Sequence, residues 1–142
     1  MTVSGESPTR MDAPILRISL ERSPHAPSLA RAAITGFSEG RRIAPSRLAT
    51  LALLVSEVVT NAVIHSGAPP RSEILLCARL LDKGAVRVEV TDHGAGFTPV
   101  PRDLTRPDGG YGLYLVDKEA LRWGVDELGG TRVWFELATQ PA

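Results

Sequence analysis

The sequence predicts an α/β protein of the α+β type, a two-layer sandwich in which three helices cover one face of a mainly antiparallel sheet. Two observations lead to this prediction. Segments with strand and helix patterns follow one another in the order β-α-α-β-β-α-β-β. Short turns join neighbouring strand segments, which favours antiparallel pairing. If the three helices packed only on each other, the apolar face of the sheet would be exposed to water. One layer of helices on one layer of strands is therefore the simplest architecture.

The first half of the chain carries one strand and two helices. Residues 1–13 mix Ser, Gly, Pro and Thr and are expected to be a mobile tail. Residues 14–21 partly alternate, as a strand does. A first helix is expected from residue 27 or 28 to about 39, where Gly40 ends it. Its expected buried residues are Leu29, Ala33, Ile34 and Phe37.

A long apolar helix follows, and the rest of the chain is mostly strand. Ala44-Pro45-Ser46 begins the helix, which runs to about His65. Residues 72–82 and 85–91 form a hairpin around Lys83-Gly84. A Gly- and Pro-rich stretch occupies 92–112, and a short helix covers 113–121. Residues 123–128 and 131–137 form the last hairpin, around Gly129-Gly130. The predicted domain therefore spans 14–138, with a tail at 139–142.

Composition describes an ordinary protein with no charge excess. The 142 residues suit one domain, with 43% hydrophobic and 23% charged residues. Sixteen basic and sixteen acidic residues cancel, which argues against a nucleic-acid partner. The single cysteine, Cys77, is expected to be a buried, inert thiol. With neither a signal-peptide core nor an apolar run long enough to cross a bilayer, the expected location is the cytoplasm, away from membranes.

The strongest chemical signal is a polar pair on the long apolar helix. Glu57 and Asn61 lie four residues apart, so their side chains project in nearly the same direction. An ionised Glu is seldom buried without a partner. A hydrated cation with phosphate would suit this stripe. A satisfied polar network in the core explains the pair equally well.

Two glycine-bearing segments accompany that pair. Asp92-His-Gly94-Ala-Gly96 directly follows a strand, which gives a carboxylate at the mouth of the core and backbone that a flat ligand can approach closely. Gly110-Tyr-Gly112-Leu113 directly precedes a helix, where free backbone N–H groups can face an anion. Taken singly, each segment is more often an ordinary turn or connection.

In combination, the three segments resemble the GHKL (histidine kinase-like) ATPase superfamily. Within it, the chain is similar to compact serine kinases that act as bacterial anti-sigma factors. Residues 56–65 resemble the family's N-box, residues 92–96 its adenine-binding box, and residues 110–116 its second glycine box. The closing segment 130–137 also follows the pattern. This resemblance, which covers about 14–138, implies a Bergerat-type ATP-binding fold.

The resemblance also implies a role for each matching residue. Asn61 would ligate Mg²⁺, which bridges the phosphates of ATP, and Glu57 would be the general base. Asp92 would accept a hydrogen bond from the adenine amine, supported by Thr131. The glycines and the residue after them would contact base, sugar and phosphates: Gly94, Gly96, Gly110, Gly112 and Leu113.

Other polar residues near these segments carry no single interpretation. Residues 97–108 correspond to the family's ATP lid, in which Arg102 and Arg106 could reach phosphate or simply face solvent. His65 continues the polar stripe and is more simply a hydrogen-bonded helix-end residue. Trp123 and Trp134 are expected to be packing residues that pair across the last hairpin, and not a ligand platform.

The leading functional prediction is an anti-sigma protein kinase that uses ATP and Mg²⁺. It would sequester a sigma factor and phosphorylate a serine of a STAS-type anti-anti-sigma protein. The alternative is a catalytically silent module of the same fold that binds a partner in a nucleotide-dependent way. The catalytic domain of a histidine kinase ranks last, because we find no segment for the phospho-acceptor helices. The homodimer expected from the family would need an exposed apolar patch, for which the candidates are Ile15, Leu16 and Ile18.

Overall fold

The structure, a computed structural model, describes residues 15–65, 72–92, 113–127 and 130–142. Its elements follow the predicted order: β1 (Ile15–Glu21), α1 (Ala26–Ser38), α2 (Pro45–His65), β2 (Glu73–Leu81), β3 (Ala85–Asp92), α3 (Tyr114–Glu119), β4 (Arg122–Glu127) and β5 (Thr131–Ala138). In these ranges the strands form one five-stranded sheet, in the order β1-β2-β3-β5-β4. Every neighbouring pair is antiparallel. The α+β class and its antiparallel sheet are thus confirmed.

Side-chain alternation separates an inner from an outer face of the sheet. The inner face meets the helices and carries the valines of β3, which lie opposite apolar residues of β5 in the register Val86↔Leu137, Val88↔Phe135 and Val90↔Val133. These side chains join the helices in one hydrophobic core. We call the other side, where residues such as Arg87 and Trp134 alternate with them, the outer face.

Helix α1 is amphipathic, but its buried face differs from the predicted one. Its first turn contains Pro27, where the missing N–H costs nothing. Gly40 follows the helix with φ +75°, a left-handed conformation that favours glycine. Ile34 and Phe37 are buried as predicted, whereas Leu29 is 53% exposed. The two alanines one and two turns before Ile34 occupy the inward stripe instead, since Ala26 and Ala30 are fully buried.

Helix α2 packs against α1 and contacts β3 and β5. Its inward stripe is Leu51, Leu54, Val55, Val58 and Val59. Residues Pro45–Ile64 are long and apolar enough to span a bilayer by length and composition, so the expectation that no such run exists is wrong. The same criterion is met by a buried core helix, and the inward stripe of α2 belongs to the core.

Hydrogen bonds at both ends fix the direction of α2 over the sheet. At its start, the Ala44 N–H donates to the Thr139 carbonyl at 2.9 Å, next to the β2–β3 turn. At its end, Arg22 Nη1 donates to the Val63 carbonyl at 2.8 Å, and the Arg22 N–H donates to the Ser72 carbonyl at the start of β2. The last turns of α2 therefore lie at the sheet end where β2 begins and β3 finishes.

Three expectations about individual side chains are wrong. Leu16 and Ile18 pack against the core, and of the proposed dimer patch only Ile15 is exposed, at 58%. Cys77 is half-buried, because it lies on the outer face of β2. Trp123 pairs with Phe135, whereas Trp134 pairs with Gly124, so the two indoles occupy opposite faces of the hairpin.

Candidate functional site

Glu57 and Asn61 lie in the second half of α2, with Val58 and Val59 between them facing the core. Both polar residues are half-buried, and the Oε1 atom of Glu57 is inaccessible to solvent. One helical turn separates them, so they share an edge of the helix beside its apolar stripe. A carboxylate and a carboxamide from one rigid helix therefore flank the end of the sheet where β2 begins and β3 finishes.

Asp92 and Thr131 meet at the same end of the sheet. Asp92 is the last residue of β3 and Thr131 the first of β5, and the two are directly opposite in the register. Asp92 also lies opposite Ile74, near the start of β2. Only 4% of Asp92 is exposed, because it continues the inward-facing row of valines. A nearly buried aspartate beside a threonine at the rim of the core can bind a polar ligand edge.

The Thr131 hydroxyl carries the clearest sign of an expected ligand. Its Oγ1 atom is buried and forms no hydrogen bond within the described part of the chain. Leaving a buried hydroxyl unsatisfied costs about 1–3 kcal/mol. A bound molecule or ordered water next to Asp92 would remove that cost. The predicted role of Thr131 in holding a ligand therefore fits its surroundings.

Leu113 lies directly before α3 and is fully buried. Two contacts orient this short helix: Arg47 Nη2 is 4.0 Å from Glu119 Oε1 near its end, and Trp123 Nε1 donates to Asp117 Oδ1 at 2.9 Å. Arg47 belongs to the first turn of α2, so the end of α3 lies near the start of α2. Leu113, at the other end of α3, packs in the core. It can thereby fix the position at which the preceding segment joins α3.

Several predicted site residues lie outside the described part of the chain. These are the glycines Gly94, Gly96, Gly110 and Gly112, together with the lid segment 97–108 that contains Arg102 and Arg106. The side chain of His65 is likewise not described. The structure thus places Glu57, Asn61, Asp92, Leu113 and Thr131.

One contact beside Glu57 has no counterpart among the predictions. Arg31 on α1 donates from Nη1 to the Ser56 hydroxyl on α2 at 2.8 Å. This bond joins the two helices immediately before Glu57. Sequence spacing could not reveal it, because the two residues belong to different helices. The one signal in the sequence was Ser56, a polar residue next to Glu57 that could bind a polar neighbour.

The side chains at this end of the sheet fit a nucleotide and a hard cation held jointly with phosphate. A carboxamide oxygen is a suitable Mg²⁺ ligand, and this ion keeps several waters and takes few protein ligands. No three His, Cys, Asp or Glu side chains cluster to hold a metal by themselves in the described ranges. Asn61 would therefore need phosphate oxygens to complete a cation site.

The chain is similar to several known proteins. An uncharacterized protein of Streptomyces coelicolor is 34% identical over 91 residues, which span 61% of this chain and 84% of the relative. Among solved structures, the chain is similar to that of the RsbU and RsbW domains of Rv1364c from Mycobacterium tuberculosis, with a TM-score of 0.70 and 24% identity over 91% of the chain. A blue-light activated histidine kinase of Erythrobacter litoralis gives a TM-score of 0.56 and 22% identity over 79% of the chain.

These two likenesses support the fold alone, since identity is low and the chain spans only 34% and 40% of the two solved chains. The family comparison goes further. The model of the histidine kinase-like ATPase domain matches residues 20–136, which include Glu57, Asn61, Asp92, Leu113 and Thr131. The chain therefore belongs to the histidine kinase-like ATPase domain family, and this membership implies that it binds ATP.

Proposed function

We propose that this protein is an ATP- and Mg²⁺-dependent protein-serine kinase. The observation that carries the proposal is the position of Glu57 one turn from Asn61 on α2, at the sheet end where the buried Asp92–Thr131 pair lies. A family member that only bound nucleotide would need no carboxylate beside the phosphate site. Glu57 therefore favours catalysis over the silent binding module.

The nucleotide would be bound from two sides. Asp92 accepts the hydrogen bond of the adenine amine, and Thr131 Oγ1, buried and without a hydrogen bond among the described residues, completes that contact directly or through water. Asn61 would hold the metal ion through its amide oxygen. Mg²⁺, when bound, neutralises phosphate charge. Gly94, Gly96, Gly110 and Gly112 are proposed to let backbone approach the sugar and phosphates.

Glu57 would act on the protein substrate. It accepts the proton of a serine hydroxyl while the serine oxygen forms a bond to the γ-phosphorus of ATP and the bond from that phosphorus to the ADP oxygen breaks. General-base assistance typically contributes about 10²–10⁴-fold in rate. The rigid helix holds Glu57 at a fixed distance from Asn61, so the base and the phosphate-binding group remain aligned.

The proposed physiological role follows from the resemblance to anti-sigma kinases. The protein would bind a sigma factor in the cytoplasm and phosphorylate a STAS-type anti-anti-sigma protein. A phosphoserine adds about two negative charges at neutral pH, which would disrupt the docked complex between kinase and antagonist. Release of the phosphorylated antagonist would leave the kinase available for the sigma factor.

The substitution Glu57→Gln tests the catalytic part of the proposal. Gln keeps the size and polarity of the side chain but cannot accept the serine proton as a carboxylate does. We expect ATP affinity to stay within a few-fold, while phosphoryl transfer to a STAS protein from the same host falls by about 10²–10⁴-fold. Calorimetry measures the binding, and radiolabelled ATP measures the transfer.

The matched control is Glu39→Gln, an exposed glutamate just after α1. It should leave both binding and transfer unchanged. Equal loss of ATP binding and transfer in Glu57→Gln would make Glu57 a structural residue. ATP-dependent partner binding without any phosphoryl transfer by the unmodified protein would favour the silent module instead.

A further inference from the structure

A second pocket lies across the sheet from the helices. Its cavity volume is about 220 Å³, and it opens on the outer face between β1, β2 and β3. Its lining residues combine three guanidinium groups, one carboxylate, one thiol and small apolar surfaces: Ile15, Arg17, Cys77, Ala78, Arg79, Arg87 and Glu89. None of the residues assigned to the nucleotide site contributes to it.

The register of the strands explains why the arginines converge. Arg79 lies directly opposite Arg87 across the β2–β3 pair, and Arg17 lies opposite Cys77 across the β1–β2 pair. Like charges directly opposite on a sheet are destabilising unless something neutralises them. The Arg79–Arg87 pair therefore favours anionic groups nearby, and the exposed Arg17 adds a third positive charge to the same face.

Only one of the three is neutralised by the described chain. Arg87 donates to Glu89 Oε2 and to Glu136 Oε2, both at 2.9 Å, and its guanidinium stacks over the Trp134 ring at 4.3 Å. Arg79 makes no hydrogen bond or ion pair with any other described residue. The positive charge of Arg79 therefore lies next to that of Arg87, and the two carboxylates beside Arg87 already form hydrogen bonds with it.

Arg17 is in a similar position, because its partner is a thiol. Its Nη1 donates to Cys77 Sγ at 3.7 Å. A thiol sulfur is a weak acceptor. Burial raises the pKa of the Cys77 thiol, so the thiol stays neutral near pH 7. Arg17 therefore contributes a second positive charge that the described chain does not balance.

We propose that this pocket binds a compact organic dianion, a small phosphomonoester or dicarboxylate, between Arg17 and Arg79. The planar guanidinium groups can each donate two parallel hydrogen bonds to a phosphate or carboxylate. Two unbalanced cations match two negative charges. Ile15 and the thiol of Cys77 offer apolar contact for a short carbon skeleton. The volume is below that of typical drug-sized ligand pockets, which begin near 300 Å³.

The one cysteine of the chain provides a local readout of occupancy. We would follow the alkylation of Cys77 by iodoacetamide with mass spectrometry, at mildly alkaline pH because of the raised thiol pKa. The full chain would be titrated, without nucleotide, with glycerol 3-phosphate and with succinate. We expect saturable protection, with alkylation slowed by about tenfold when the pocket is filled, a change equivalent to ~1.4 kcal/mol. Sodium chloride at the same ionic strength should protect little.

Substitutions decide whether the arginines are responsible. Arg79→Ala and Arg17→Ala should each raise the half-protecting concentration by about tenfold, as expected for the loss of a charge-assisted hydrogen bond. The control is Arg42→Ala, an exposed arginine between α1 and α2. Circular dichroism checks that each variant folds, and the two arginine variants substitute for one another if one does not.

The outcomes separate this proposal from the kinase proposal. Protection that equals the effect of sodium chloride, or that survives both arginine substitutions, would overturn it. Protection by inorganic phosphate as strong as that by glycerol 3-phosphate would overturn the assignment of an organic ligand, because the pocket would then recognise the oxyanion alone. Since Cys77 lies on the outer face, filling the nucleotide site would not shield it. A failed kinase assay would leave this test intact.

Discussion

At the scale of single residues, a buried carboxylate and a buried hydroxyl oxygen of β5 have opposite meanings. Glu136 is 2% exposed on the outer face and is matched by three cations: Lys83 at 3.0 Å, Arg87 at 2.9 Å and Arg122 at 3.0 Å. Its carboxylate is thus satisfied by the fold itself. Thr131 Oγ1, at the other end of the same strand, has no hydrogen bond within the described ranges. The first residue stabilises the sheet, whereas the second fits a ligand.

The substitution Thr131→Val should separate stability from nucleotide binding. Valine has nearly the same shape but removes a buried hydroxyl that forms no hydrogen bond among the described residues, so the free energy of unfolding should stay equal or rise by up to ~1 kcal/mol. ATP affinity should fall by about tenfold, because one polar contact to the base is lost. Urea unfolding and calorimetry measure the two effects. A variant that lost stability but kept its ATP affinity would show that the hydroxyl serves the fold.

Glu136 gives a prediction about pH. Hydrogen bonds from Arg122 lower the pKa of Glu136 from 4.5 to about 2, assisted by Lys83 and Arg87. Since the folded-state pKa is below the ordinary value, the ionised carboxylate contributes stability above pH 4.5, and this contribution disappears as the pH falls from 4.5 towards 2. Glu136→Gln should therefore reduce the free energy of unfolding by about 1–3 kcal/mol at pH 7.

The difference in unfolding free energy between the unmodified protein and Glu136→Gln should shrink as the pH is lowered, because protonation makes Glu136 resemble glutamine. Urea unfolding of both proteins between pH 7 and pH 3 measures it, and the other carboxylates cancel in the comparison. A stability difference that stays constant over this range would mean that the charge of Glu136 contributes nothing and that only its shape matters.

At the scale of elements, one glycine in β4 is fixed by its neighbour across the hairpin. A Cβ added to Gly124 would lie 2.8 Å from Trp134 Nε1. The guanidinium carbons of Arg87 and Arg122 lie 4.3 Å and 5.7 Å from the centre of the Trp134 ring, which limits the movement of the indole. Gly124→Ala should therefore lower the free energy of unfolding by about 1–3 kcal/mol through overpacking. Gly36→Ala, in α1, meets open space and should raise it by about 0.5–1 kcal/mol.

Chemical denaturation of the two alanine variants gives this comparison directly, because the same methyl group is added in both. Trp134→Ala in the Gly124→Ala background should recover part of the lost stability relative to the sum of the single effects. Equal and small effects in both elements would mean that the indole moves aside at no cost.

The elements themselves could be predicted because their signals are local. Alternation identified β3, and Gly40 and Gly84, both with φ +75°, lie at the predicted ends and turns. The buried face of each helix and strand was harder to predict, since it depends on tertiary packing. Leu29 was expected to be buried by its chemistry alone, but the buried stripe of α1 depends on its packing against α2 and β1, and this stripe contains Ala26 and Ala30 instead. The two tryptophans were misassigned because hairpin register decides which face each occupies.

At the scale of the whole molecule, the candidate site depends on the sheet order. β3 and β5 are neighbours although β4 lies between them in the sequence, and only this order brings Asp92 opposite Thr131. No spacing rule predicts that pairing, and the resemblance to a family supplied it. Local pattern sufficed for Glu57 and Asn61, which share one helix. The arginine pocket was missed because it needs three strands in register.

The assembled site also predicts how metal and nucleotide together stabilise the protein. A ligand that binds only the folded state adds about 1.4 kcal/mol to the unfolding free energy for each tenfold gain in affinity at saturation. If Asn61 holds Mg²⁺ against ATP, thermal unfolding should shift upward more with ATP and Mg²⁺ than with ATP and EDTA. In Asn61→Ala this increment should disappear, while the shift with ATP and EDTA should remain, because the proposed base contacts of Asp92 and Thr131 would be intact. The neighbouring variant Thr60→Ala should behave like the unmodified protein. An Asn61→Ala protein that keeps the full metal-dependent shift would exclude Asn61 as the magnesium ligand, since metal and nucleotide would then meet elsewhere in the fold.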